Sequence, residues 1–159
     1  MIRPTSFRLP QYIVERLSHL MDILRNEKEK YERASLTIED KQLKQNINIL
    51  ALENNQYVCE LTSQLKSLGA YECIEAKGVK NDTYDASVIM TEEEQPLLNI
   101  SVLQFCKDSE KKMISAYREV LNEPFLAEGL RTLIRRQLNG IMYAFLQLKL
   151  LQDTRYSPH

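Results

Sequence analysis

The 159-residue chain is 43% hydrophobic and 27% charged, with four Gly, five Pro and a formal net charge of −1. That balance suits a globular chain of one domain's length and gives no electrostatic case for a nucleic acid or an anionic membrane as partner. So few turn-forming residues favour long helices over a strand-and-hairpin fold.

The opening decapeptide, MIRPTSFRLP, has no apolar core of signal-peptide length. Pro10 suits a first helical turn, where its missing N–H costs nothing. Behind it Ile13, Leu17, Leu20, Leu24, Glu27, Tyr31 and Ala34 step by fours and threes, which predicts a packed helix over about 10–34. Thr37 followed by Asp40 resembles a capping box and is expected to open a second helix over about 38–68. Its seam is Leu43, Ile47, Leu50, Asn54, Tyr57, Leu61, Gln64 and Leu68, with Gly69 as a left-handed cap. A link this short makes the two helices antiparallel neighbours.

Residues 69–96 read as a crossover, with Gly78, an Asn81-Asp82 turn signal and an acidic run from Glu92 to Glu94. Its YDASVIMTEEE segment fits a short helix or a strand, and the whole stretch a spacer or a functional loop. A third helix is predicted over about 97–122 on Leu98, Val102, Phe105, Ser109, Met113, Ala116 and Val120. Pro124 is expected to begin a fourth over about 124–153, on Leu126, Leu130, Leu133, Gln137, Ile141, Ala144, Leu148 and Leu151. The chain is therefore expected to be one all-α domain, two antiparallel helical hairpins joined by a long crossover, the ferritin-like connectivity.

NEKEKYERA, LENNQYVCELTSQLKSLGA, CKDSEKKMISAYREVL and RRQLNGIMYAFLQL resemble, in order, the four helices of an uncharacterised bacterial ferritin-like family. The likeness spans most of residues 9 to 152, and the resemblance implies a small bundle linked to stress conditions. Ferritin-like enzymes hold two iron or manganese ions with a Glu from each of two helices and a Glu-x-x-His from each of the others. Here His19 follows Arg16 at that spacing, and His159 is the last residue given. By the resemblance, Gly140 and Phe145 stand where the fourth helix would supply ligands. Glu53, Glu60 and Glu110 fall at or beside family ligand positions, with Glu27 or Glu29 for the first helix. Glu53-x-x-Gln56 keeps the spacing with a weak neutral ligand.

Three readings follow. In the first, the chain is a non-enzymatic assembly or stress-associated protein without a cofactor, in which Asn54, Ser109 and Gln137 share one neutral buried layer, supplied with hydroxyls by Tyr57 and Tyr143. By the same count Glu27 lies in a different layer. In the second, it is a di-iron or di-manganese oxidoreductase or storage protein, ligated by Glu29, Glu53, Glu60 and Glu110. A third, cysteine redox sensing, needs a lowered thiol pKa, for which Lys107 and Lys111 beside Cys106 are the available cations. Cys59, Cys73 and Cys106 are an odd number at no metal-ligand spacing, which fits a reducing cytoplasm.

The fourth helix is apolar on nearly every side between residues 138 and 151. That run is shorter than the roughly 20 residues a bilayer needs and is interrupted by Gln147 and Lys149. Its second apolar face, Met142, Phe145, Leu146 and Leu150, is expected to meet a second copy of the chain. Arg131, Arg135 and Arg136 read as a solvated face rather than a phosphate site.

Overall fold

The computed structural model describes residues 9–69 and 99–155, and everything regular among them is α-helical. Four long helices account for it: α1 (Gln11–Thr37), α2 (Lys41–Ser67), α3 (Asn99–Leu121) and α4 (Glu128–Arg155). The expected crossover over 69–96 with its YDASVIMTEEE segment, and also Leu98, Cys73 and His159, lie outside the described residues, Gly69 excepted.

The seam read from α1 is the buried face of the helix without exception, from Ile13 to Ala34. Asp40 opens α2 by itself, its carboxylate accepting the N–H groups of Gln42 at 3.0 Å and Leu43 at 3.2 Å. The expected Thr37 capping box does not form. Thr37 is still the last residue of α1, its hydroxyl turned back to the carbonyl of Ala34. At the other end of α2, Gly69 has φ +79°, the left-handed conformation that a glycine adopts without strain.

The expected start of the fourth helix at Pro124 is also corrected. Pro124 biases Glu123 away from helical backbone, and the Leu126 N–H turns back to the Glu123 carbonyl at 3.4 Å. The helix begins only at Glu128, with the Ala127 carbonyl accepting from Arg131. The Arg131 guanidinium spans this turn, donating to the carbonyls of Leu121 and Glu123 at 2.7 Å each. One member of the expected basic face is thereby the cap of α3, where a cation also complements the helix dipole.

Each helix packs on two others: α1 on α2 and α3, and α4 on α3 and α2. The bundle therefore has the cyclic order α1, α2, α4, α3. Between them lies a core of Leu, Ile, Val and Met side chains, together with Tyr31, Tyr57, Tyr117 and Phe145.

Candidate functional site

Polar side chains interrupt this core in its middle. Glu27, Asn54, Ser109 and Gln137 are buried to 2% exposure or less. Sequence spacing placed Asn54, Ser109 and Gln137 in one layer, but they occupy three successive levels along α3. At the first, Ser109 Oγ is hydrogen-bonded to the Tyr31 hydroxyl, whose ring meets Phe105 edge-on at 5.8 Å. At the second, the Asn54 amide donates to the Leu24 carbonyl at 3.1 Å and to Met113 Sδ at 3.5 Å. At the third, the Tyr117 hydroxyl donates to Gln137 Oε1 at 2.7 Å. Residues 109, 113 and 117 are one turn apart, so the belt is about 12 Å tall.

Gln137 is the most connected of these groups. Its Nε2 donates to the Tyr57 carbonyl at 3.2 Å and to Glu60 Oε1 at 3.0 Å, while its Oε1 accepts from Tyr117. One amide thus joins α2, α3 and α4. Beside it the Tyr57 ring lies over Gly140, where an added Cβ would collide with the tyrosine hydroxyl. The space beside Gly140 is filled from α2.

Tyr117 escaped the reading of the sequence, although its place one turn beyond Met113 and two beyond Ser109 was the available signal. Tyr143, expected to supply a hydroxyl, is 64% exposed and takes no part. Glu27 also belongs to the belt rather than to a separate layer. It sits one turn from Leu24, whose carbonyl holds Asn54, and its carboxylate meets Lys30 and Lys112 Nζ at 3.3 Å each.

The acidic candidates are not brought together. Glu29 is exposed. Glu60 is held by Gln137, by Gln56 at 3.1 Å and by Arg136 at 3.7 Å. Burial alone would raise its pKa, but these hydrogen bonds and the Arg136 charge outweigh it and hold the carboxyl below its ordinary range. Glu110 faces Lys149 at 3.9 Å on the α4 side. Glu53 has a buried oxygen with no hydrogen-bond partner, and burial pushes its pKa up. Among the described residues, no three His, Cys, Asp or Glu side chains are close enough to hold a metal ion. His19 is exposed, and its neighbour Arg16 pairs with Glu119 and Glu123.

Tyr31, Tyr57, Tyr117 and Cys106 are all shifted away from neutrality. Burial, followed by the charges of Glu53 and Glu60, pushes Tyr57 up to about 12 against a smaller opposing effect of Arg136. Burial pushes Tyr31 and Tyr117 well above the usual phenol range. Burial and then the charge of Glu27 push the Cys106 thiol up to about 12. Lys107 and Lys111 do not give Cys106 the lowered pKa that redox sensing requires.

The expected association face of α4 is corrected at one position. Phe145 is 2% exposed and belongs to the chain's own core, turned toward Cys106 on α3. Met142, Leu146 and Leu150 are exposed. Among the described residues no helix is long and apolar enough to cross a membrane. No protein-family model, curated protein or solved structure matches the chain.

Proposed function

We propose that the chain is a ferritin-like bundle of two antiparallel hairpins whose centre has changed from a cation cradle to a self-satisfied polar belt. On this reading it works by associating with protein chains, a second copy of itself first among them, and not by catalysis. The stress-linked setting comes from the family resemblance. A cytoplasmic setting fits two described cysteines that are both free, one of them buried.

The order of side-chain pairings supports the topology. Along α1, Arg16, Glu27 and Tyr31 meet Glu119, Lys112 and Ser109 in turn, so the numbers rise on one helix and fall on the other. Tyr117 with Gln137 and Glu110 with Lys149 repeat that relation between α3 and α4. Antiparallel neighbours give this order, as in a ferritin-like bundle.

The observation that carries the functional reading is the engagement of Gln137 with Tyr117, Tyr57 and Glu60. Two cations between the helices need several anionic oxygens aimed at one point. Here an amide and tyrosines occupy that region, and Glu27, Glu60 and Glu110 are each turned to a Lys, Arg or Gln. These residues do not fit a di-metal pair.

Elemental analysis of protein purified without added chelator tests this reading. Iron and manganese are expected well below one ion per chain. About two ions per chain, lost when Glu53 and Glu110 are changed to Ala, would establish the oxidoreductase or storage reading instead.

A further inference from the structure

We propose that two copies of the chain pair α4 against α4 in opposite directions about a two-fold axis level with residue 144, with Arg135 of each copy beside Asp153 of the other. This inference rests on the association reading above and specifies its geometry.

The outer side of α4 carries a second seam, facing away from the core. Arg135, Asn139, Met142, Leu146, Leu150 and Asp153 are all exposed and follow one another by steps of four, three, four, four and three. Steps of this kind keep residues on one side of a helix. Arg135 and Asp153 are 18 residues apart (153 − 135), about five turns, so they lie in line along the helix. An apolar centre between two opposite charges is the pattern of a surface that meets its own image in reverse.

The register follows from arithmetic. Arg135 and Asp153 have their midpoint at 144, and so do Met142 and Leu146. Reversal about that level sets Met142 against Leu146 and Arg135 against Asp153 in a single placement, twice over by symmetry. It also brings Asn139 level with Lys149, which stays 55% exposed while paired with Glu110. Among the described residues neither Arg135 nor Asp153 makes an ion pair within its own chain, whereas Arg136 next door is paired with Glu60.

The seam is open to a partner. Met142, Leu146 and Leu150 are 41%, 48% and 50% exposed, and the neighbouring Tyr143 is 64% exposed.

Sedimentation equilibrium of the full chain and its charge variants provides the test. The wild-type chain is expected to dimerise at micromolar concentration. Leu146→Glu should yield a folded monomer with unchanged helix content. Arg135→Glu and Asp153→Arg should each weaken the dimer about tenfold by placing like charges together, and the double variant should recover wild-type affinity. A dimer that responds to Leu146→Glu but to neither charge variant would overturn this register while leaving α4 association standing. A wild-type chain that stays monomeric would overturn both.

Discussion

Gly140 and Tyr57 give the sharpest expectation at the scale of single residues. Gly in a helix interior costs about 1 kcal/mol relative to Ala, so Gly140→Ala should stabilise α4 if nothing opposed it. The Tyr57 hydroxyl does oppose it. Gly140→Ala is expected to lower stability by about 1–2 kcal/mol in the wild-type chain and to raise it by about 1 kcal/mol in a Tyr57→Phe background. Denaturant unfolding of the four variants reads this reversal of sign; equal effects in both backgrounds would count against the close approach. Gln137→Leu strands the hydroxyl of Tyr117 and one acceptor of Glu60, and should cost about 1–3 kcal/mol. A gain in stability would show that the amide borders solvent instead. Glu53 gives a pH dependence. Burial raises its pKa in the folded chain, so its contribution is fully present below the ordinary carboxyl range and is lost as pH rises through the raised value. Glu53→Gln should therefore change Tm little near pH 3 and raise it at neutral pH, where the wild-type carboxylate is charged and poorly solvated.

At the scale of elements, the sequence announces helices far better than their ends. The α1 seam is legible because every residue it names from Ile13 to Ala34 is buried, Glu27 included. The start of α4 is not, because Pro124 is as acceptable in a turn as in a first helical turn, and the Arg131 cap that fixes the turn acts from ten residues away. Asp40 was visible as a capping residue but assigned to the wrong position, since Thr37 prolongs α1. With its carboxylate on two N–H groups, Asp40→Ala should cost about 1 kcal/mol by thermal or denaturant unfolding, and Asp40→Asn much less. Thr37→Ala, outside any α2 cap, is expected to matter less than Asp40→Ala. Asn54, Ser109 and Gln137 are legible as buried polar residues, but their heights are not, nor are the places of Tyr117, Tyr143 and Glu27. Counting from helix ends cannot resolve one turn of stagger when the turns between helices are themselves misplaced by several residues. Phe145 was misassigned for a related reason: on a helix apolar all round, composition does not say which side faces the core.

For the whole molecule, the cyclic order α1, α2, α4, α3 brings the middles of all four helices around one belt. In a di-metal protein that arrangement focuses carboxylates and imidazoles on two cations. Here Tyr31 binds Ser109, Tyr117 binds Gln137 and Glu27 is paired with Lys30 and Lys112, while Met142, Leu146 and Leu150 of α4 stay exposed. The most direct measurement of this account is thermal unfolding of the full chain with excess Mn(II), or with Fe(II) under anaerobic conditions, against Mg(II) as the control. A resident site at 100 times its Kd would add about 2.7 kcal/mol to folding and raise Tm by several degrees. The same Tm is expected with all three ions. A rise specific to Mn(II) or Fe(II), abolished by Glu53→Ala together with Glu110→Ala, would contradict it.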